Sequence, residues 1–496
     1  MTRGGAMNAL LIYPDVPDTF WSFKYALRFV SRKSTAPPLG LLTVAAMLPK
    51  EWSLRVVDLK TRRLRKRDLE WAEMVYISAM QVQRDSVLEI IKECKKYSLP
   101  IVAGGPLFTA YHHEFTDIDH FVLNDAEETL PLFLEDLARG EAKPLYTTDA
   151  FPPMKLTPVP RWELVRLSSY AEISIQYSRG CPYDCDFCDI GVLFGRKIRT
   201  KSPHQILLEL DKLYSLKWRG EVFFVDDNFI GNKTKLKRDL LPALLKWQQE
   251  HGRPFTFSTE ASIDLAQDDE LMQSMVDVGF TSVFVGVETT NESALAECNK
   301  IHNTLHDPLE SIRKIHKRGM MVKGGFIVGF DSDDTTIFEK ISEFIQSSEI
   351  VTAMVGLLNA PAGTQLYKRL LGEDRILHNS TGDNTDATLN FIPRMDPKIL
   401  VEGYREIIKN IYTPKQYYER VRAFLREFPT HKLRGRLAPR DISAFFKSLF
   451  RLGIVGKERV QYWRLLFWTL FHRPRHTALA VTLAIYGFHF RRVFDV

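Results

Sequence analysis

The run Ser178-Arg179-Gly180-Cys181-Pro182-Tyr183-Asp184-Cys185-Asp186-Phe187-Cys188 decides how this chain is read. Three thiolates at C-x3-C-x2-C spacing suit an iron–sulfur cluster, because soft sulfur ligands hold iron and one tight loop can wrap a cubane. Three ligands leave the fourth iron open to bind a small molecule and pass it an electron, so the count itself points to catalysis. The competing reading is a zinc knuckle, or three free thiols. A structural zinc site wants four ligands, usually as two close pairs. Here Cys94 and Cys298 are single and remote in sequence, and no His lies beside the loop.

The loop follows an apolar strand that opens a β/α series. Strands are expected at Glu172–Tyr177, Glu221–Val225, Phe255–Ser258, Ser282–Val287, Val322–Val328 and Thr352–Leu358, with helices such as Pro203–Tyr214 and Asp268–Val278 between them. Six β/α units are too few to close an eight-unit barrel, so an open partial barrel is predicted, with chemistry at the carboxyl ends of its strands. Those ends carry Val225-Asp226-Asp227-Asn228-Phe229, Ser258-Thr259-Glu260-Ala261-Ser262, Gly286-Val287-Glu288-Thr289 and Gly325-Phe326-Ile327-Val328-Gly329-Phe330-Asp331. The paired aspartates suit either an ammonium ligand or a helix N-cap.

Ahead of this series, strands at Ala9–Tyr13, Leu54–Val57, Met74–Ser78, Pro100–Ala103 and His120–Leu123 alternate with helical patterns such as Leu39–Leu48 and Ser86–Lys96, which predicts a parallel, doubly wound α/β sheet. The turn Ala103-Gly104-Gly105-Pro106 lets backbone approach a ligand, or is a tight loop and nothing more. Prolines 144, 152, 153, 158 and 160 mark a linker. After about Asp396 the pattern is helical. The expected units are residues 1–145, a linker over 146–168, a partial barrel over 169–395 and a helical region over 396–496.

The chain has 496 residues, 45% hydrophobic, 26% charged and 11% aromatic, which fits an ordinary globular protein of two or three domains. Five cysteines, three in one motif, make no disulfide framework, so a reducing, cytoplasmic setting is expected. The apolar stretch after Met7 is short, so no signal peptide is expected. The longest apolar run, Thr477 to Phe488, falls below the roughly 20 residues that span a bilayer. From Pro397 onward there are 20 Lys and Arg against 7 Asp and Glu, which leaves 47 against 54 in the rest. A basic tail on a mildly acidic body invites an anionic partner. Its aromatics (Tyr417, Tyr418, Phe445, Phe446, Trp463, Phe467, Trp468, Phe471) read either as helices packed on the barrel or as a docking face for a lipidic or membrane-bound substrate. The basic run Lys60 to Arg67 is a solvated loop with no base-reading motif, so no specific nucleic acid partner is expected.

The cysteine loop, with Phe187 before its third thiol, resembles the signature of the radical SAM enzymes. The resemblance implies a [4Fe-4S] cluster on Cys181, Cys185 and Cys188 whose open iron chelates S-adenosylmethionine, and reductive cleavage to a 5′-deoxyadenosyl radical. It implies S-adenosylmethionine contacts at Phe187, Asp226, Asp227, Glu260, Ser262, Glu288, Val328 and Gly329. It also implies a reductase such as flavodoxin or ferredoxin. The sheet ahead of the barrel, with Pro37-Pro38-Leu39-Gly40-Leu41-Leu42, Val102-Ala103-Gly104-Gly105-Pro106 and Asn124-Asp125-Ala126-Glu127-Glu128, is similar to the cobalamin-binding radical SAM methylases. Within these the chain is most similar to the hopanoid methylases and their relatives, on Val225 to Lys233, Gly329 to Asp333 and Met354 to Leu358.

That likeness implies a Rossmann-like cobalamin-binding sheet, a partial (β/α)6 radical SAM barrel and a C-terminal helical extension. Cobalamin contacts are implied at Pro38, Leu39, Ser78, Met80, Gln81, Gly104, Gly105, Asn124 and Glu127. The D-x-H-x-x-G motif that supplies cobalt with a lower His elsewhere is absent, since the first strand runs into Tyr13-Pro14-Asp15; the lower face would meet Ser78, Met80 and Gln81. The implied activity is C-methylation of an unactivated sp3 carbon by way of methylcobalamin. The expected substrate is a small molecule of lipid or isoprenoid type, with contact at the inner face of a membrane through the basic tail. The alternatives are a radical carbon–carbon coupling or rearrangement enzyme whose first domain is only structural, and a zinc-knuckle binding protein.

Overall fold

The computed structural model describes residues 6–383, 385–429 and 439–496. Strands β1 (Asn8–Tyr13), β2 (Ser53–Asp58), β3 (Met74–Ser78), β4 (Ile101–Gly104), β5 (His120–Val122) and β6 (Leu145–Tyr146) form one parallel sheet in the order β2-β1-β3-β4-β5-β6. These strands read as unbroken apolar runs because both faces are covered. Leu10, Ile12, Val75 and Ile77 pack on the helix Arg84–Lys95 through Val87, Ile90, Ile91 and Cys94, while Ala9, Leu11 and Tyr76 pack on Leu41 and Leu42 of the helix Leu39–Met47. The strand order reverses between β1 and β3, so a crevice opens beyond their carboxyl ends. Strand β6 has no signal in the sequence pattern: two residues at the start of the proline-rich stretch pair with Phe121 and Val122.

The second sheet is the predicted open set of six. It contains β7 (Ile173–Ile175), then, past the short antiparallel pair β8 (Ser178–Arg179) and β9 (Arg199–Thr200), β10 (Gly220–Phe224), β11 (Phe255–Glu260), β12 (Phe280–Glu288), β13 (Met321–Val328) and β14 (Thr352–Leu357). Its order is β14-β13-β12-β11-β10-β7, all parallel, and β14 does not pair with β7. Two distant segments fill that seam. The helix Thr477–Val493 brings Phe490, which stacks on Phe20 at 4.4 Å, and Tyr486, 4.9 Å from Phe23. Trp21 donates its indole N–H to Met354 Sδ on β14 at 3.0 Å.

The linker is packed, not free: Trp162 is fully buried and Arg161 N–H donates to Leu42 O. The C-terminal region is helical, as expected, over Pro397–Tyr412, Pro414–Glu427, Pro439–Phe450, Arg459–His472 and Thr477–Val493. Its aromatics divide. Tyr417 and Tyr418 are core, whereas Phe446, Phe467 and Phe471 are exposed. Among the described residues, no helix is long and apolar enough to cross a membrane.

Candidate functional site

The cysteine loop leaves β7 and is braced from beneath by Asp226, at the carboxyl end of β10. Asp226 accepts from the amides of Tyr177 and Ser178 and from Ser178 Oγ (2.5 Å). From sequence alone Asp226 is expected at S-adenosylmethionine beside Asp227; in the structure its oxygens are spent on the loop, and it is 1% exposed. Next to it, Asp227 takes the amide of Gly180 at 3.2 Å. The loop's back is tied down by Asp186 N–H to Cys298 O (3.1 Å), Leu366 N–H to Asp186 O (2.9 Å) and Asn299 Nδ2 to Asp184 O (3.0 Å). Tyr183 stacks on His302 with 3.6 Å between ring centres.

The three thiols are unpaired and half-buried. Burial pushes the Cys185 thiol up to about 11 and Cys188 to about 12, so without metal neither is a thiolate near neutral pH. Cys298, remote in sequence, is brought behind the loop, but its thiol is packed in an apolar cluster and turned to Leu295 O. Among the described residues, no three His, Cys, Asp or Glu side chains converge on one metal ion, as a zinc knuckle would require. Three soft donors on one braced loop fit a larger sulfur-bridged body.

Asp226, Asp227 and Glu260 crowd beside the loop, and among the described residues none of the three is in a salt bridge. Burial, then the neighbouring Asp227 and Asp226, raises Glu260 to about 8; burial raises Asp226 to about 7 and Asp227 to about 6. A buried acidic group of this kind is relieved by a cation, which fits the ammonium and sulfonium of S-adenosylmethionine. Glu288, at the end of β12 with φ of 68°, is already paired with the partly buried Lys300. Lys300, whose charge also favours the Cys185 and Cys188 thiolates, carries no motif that marks it in the sequence. Asn228, in the strand-end run Val225 to Phe229, is buried and donates to Ser262 Oγ at 3.1 Å.

Ser262 is bound to Asn228 and Asp264, and no bond joins it to the cysteine loop's backbone. At the end of β13 the amides of Gly329 (φ 107°) and Phe330 both donate to Asp333, at 3.0 and 3.1 Å, so these two donors are engaged within the chain. Val328 O accepts from Leu358. Phe187 lies 6.3 Å from Phe330.

In the first domain Ser78 and the exposed Met80 stand at the carboxyl end of β3, beside the switch crevice. Gln81 is tied to Ser380 O at 2.8 Å. Pro38 and Leu39 open the helix on the sheet's other flank. Four expected cobalamin contacts also have partners within the chain. A Cβ on Gly104 would meet Val122 O at 2.5 Å, and one on Gly105 would meet Ser78 Oγ at 2.9 Å, so both glycines serve the sheet's own close packing. Asn124 bonds Thr148 O and Thr147. Glu127 accepts from Arg179 at 2.9 and 3.0 Å and from Thr157 at 2.6 Å. Arg179 and Arg199 also hold Asp125, at 2.8 and 2.7 Å. Thus the acidic loop after β5 is gripped by the hairpin that carries the cysteines, and the two domains are locked at the site.

Below the carboxylates, a cavity of about 1220 Å³ fills the barrel lumen. Its walls include Phe223, Phe284 and Met354 from the strands, Trp21, and Ile485 and Tyr486 of the last helix. Glu260 lines its upper end, so the cavity reaches the buried carboxylates beside the cysteine loop; Glu172, Glu221 and Lys323 add the polar points inside.

Residues 175–345 match the radical SAM superfamily, residues 26–134 the B12 binding domain, and residues 364–496 a domain of unknown function (DUF4070). The chain is 42% identical to an uncharacterized methyltransferase, sll1242, of Synechocystis sp., over 98% of this chain and 91% of that one. It is 34% identical to the hopanoid C-2 methylase of Rhodopseudomonas palustris, over 92% and 88%. In fold it resembles the cobalamin-dependent S-adenosylmethionine radical enzyme OxsB with aqua-cobalamin bound (TM-score 0.65, 15% identity, 98% of this chain and 80% of that one). It likewise resembles the radical S-adenosylmethionine methyltransferase TsrM of Kitasatospora setae with cobalamin and [4Fe-4S] cluster bound (TM-score 0.58, 16% identity, 80% and 85%). With both signature domains present and full-length relatives above 30% identity, this chain belongs to the cobalamin-dependent radical SAM methyltransferases, enzymes that work with a [4Fe-4S] cluster, S-adenosylmethionine and cobalamin.

Proposed function

We propose that this enzyme methylates an unactivated sp3 carbon of a lipid or isoprenoid-type small molecule held in the barrel lumen. The observation that carries this reading is the cavity: about 1220 Å³, walled mainly by aromatic and aliphatic side chains and continuous with Glu260. Drug-sized ligands occupy about 300–1,000 Å³, so the space suits a large apolar body. The 34% identity with a hopanoid C-2 methylase points the same way.

In this reading Cys181, Cys185 and Cys188 hold the cluster. Asp227 and Glu260 receive the cationic cofactor, and Glu288 with Lys300 fixes the floor beside the thiols. Ser78, Met80 and Gln81 border the face that cobalamin would meet. When bound, these groups supply the electron, the hydrogen abstraction and the methyl group that carbon chemistry at such a position requires, since the carbon has no acidic proton for a base to take. The chain's own part is to align and exclude: Arg179 and Arg199 fix the two domains' faces, and Trp21 and Tyr486 close the seam so that water is kept from the reacting carbon. An electron donor of the flavodoxin or ferredoxin kind would serve it, and the basic helical region would meet the inner face of a membrane.

Anaerobic turnover with a hopanoid or another isoprenoid lipid should yield methylated lipid with both S-adenosylhomocysteine and 5′-deoxyadenosine. Deoxyadenosine without S-adenosylhomocysteine would support radical chemistry without methylation and overturn the reading.

A further inference from the structure

The cavity and the exposed apolar face of the C-terminal helices share a residue. Ile442 lines the cavity and is also 49% exposed. Along the helix Pro439–Phe450 and the π-turn Arg451–Val455 that continues it, Ile442, Phe446, Phe450 and Ile454 recur every four residues, which sets them on one face. Phe446, Phe450 and Ile454 are each about 60% exposed (63, 61 and 60%). Phe471, on the neighbouring helix Arg459–His472, is 82% exposed.

The surroundings of this face are basic. Residues 439–476 hold eight Lys or Arg against two Asp or Glu, and one of those two, Glu458, is buried against Arg491 at 3.1 Å. At the cavity mouth Arg32, Arg440 and Arg475 gather around a single carboxylate, Asp441, which lies 3.7 Å from Arg440. Three cations against one carboxylate leave a positive surplus at an apolar opening, which favours an anion there. The pattern is therefore apolar at its crest and cationic at its rim, which complements an anionic bilayer: Phe and Ile enter the headgroup zone while Arg and Lys meet phosphates.

We infer that residues 439–476 dock on an anionic phospholipid bilayer and that the lumen fills through the mouth at Ile442, directly from the membrane. The region that matches only a domain of unknown function thereby acquires a role, as the floor of the lumen and its portal. The identity of what enters rests on the lipid reading above; the docking does not.

The test is vesicle binding by the full-length holoenzyme. Wild type should sediment with phosphatidylglycerol-containing vesicles, less with pure phosphatidylcholine, and less again as salt rises. A variant with Phe446→Asp, Phe450→Asp and Phe471→Asp should lose at least about tenfold in vesicle affinity while keeping its corrinoid spectrum and thermal transition. In Phe446→Trp, brominated acyl chains should quench the new indole. Equal vesicle binding by wild type and the triple Asp variant, or no quenching of that indole, would overturn the docking.

Methylation separates the two readings. If docking holds, the triple variant should fail on lipid in vesicles and succeed on lipid in detergent micelles; equal rates on both would overturn the portal. If wild type binds vesicles but methylates no lipid in either form, the substrate reading falls and the docking stands.

Discussion

Arg179→Met tests how the two domains are joined. Arg179 is bidentate to Glu127 and bonded to Asp125, and the two carboxylate side chains are 3% and 4% exposed. Although burial opposes its ionisation, Glu127 is held at about 2 against an ordinary 4.5, chiefly by the Arg179 charge and the bonds from Arg179 and Thr157. A difference of about 2.5 pKa units at ~1.36 kcal/mol each is about 3 kcal/mol, which agrees with the ~3–5 kcal/mol cost of breaking a buried pair from one side. Asp125 keeps Arg199, so it adds less. With an unfolding entropy of ~2.1 cal/mol/K per residue, 496 residues melting together should lose about 3 °C in Tm; a first domain that melts alone should lose more.

Acid should remove this stabilisation. The carboxyl is more acidic folded than unfolded, so its contribution is complete above about pH 4.5, more than half gone by about pH 3, and lost as pH falls through about 2. Calorimetry on the apoprotein should compare wild type, Arg179→Met, Glu127→Gln and the double variant. A coupling energy below about 0.5 kcal/mol in that cycle would place the pair among ordinary surface contacts and remove it as the lock between the domains. So would a wild-type-to-variant difference that stays constant between pH 7 and pH 3.

Replacing Cys181, Cys185 or Cys188 with Ser should abolish most iron and sulfide uptake on anaerobic reconstitution, whereas Cys94→Ala and Cys298→Ala should retain it, because both thiols are packed in apolar clusters. Gly325→Ala should lower turnover about tenfold and raise KM with iron and corrinoid content unchanged, since the added Cβ meets the Phe284 ring at 2.7 Å and drives it into the lumen. Because Glu260 is neutral below about 8 and ionised above, calorimetric binding of S-adenosylmethionine should strengthen between pH 6.5 and 8.5, and Glu260→Gln should bind more weakly with a flat profile.

What the sequence disclosed and what it hid follow a physical division. The six-strand partial barrel is readable because buried parallel strands are local apolar runs with turns at their ends, and the cysteine loop because all its donors lie within eight residues. The strand-end residues are legible as a set but not in their roles. Asp226 and Asp227 are adjacent, and only the path of the loop decides that Asp226 takes Tyr177 and Ser178 while Asp227 takes the single amide of Gly180. Glu127 is expected at cobalamin through the family likeness, and nothing local marks its partner Arg179, 52 positions away. Gly104 and Gly105 signal close backbone approach correctly, and the groups that approach them within the chain are Val122 and Ser78. Lys300 sits in no motif, and long-range packing alone brings its charge to the thiols.

The seam explains why three separate parts of the chain are needed for one site. Six parallel strands curve around a lumen but cannot close it, and an open lumen would flood. The gap between β14 and β7 is sealed by Trp21 from the first domain and by the final helix, with Tyr412 adding a 2.6 Å bond from its hydroxyl to Ala353 O on β14. A wall drawn from the corrinoid-type domain, the barrel and the helical tail ties the shape of the lumen to the docking of the domains. The same Arg179 that grips Asp125 and Glu127 lies two residues before Cys181. Cluster position, domain alignment and lumen closure are therefore one mechanical unit. The helical tail walls the lumen through Ile485 and Tyr486, so a region with no catalytic motif of its own helps to set the lumen's shape.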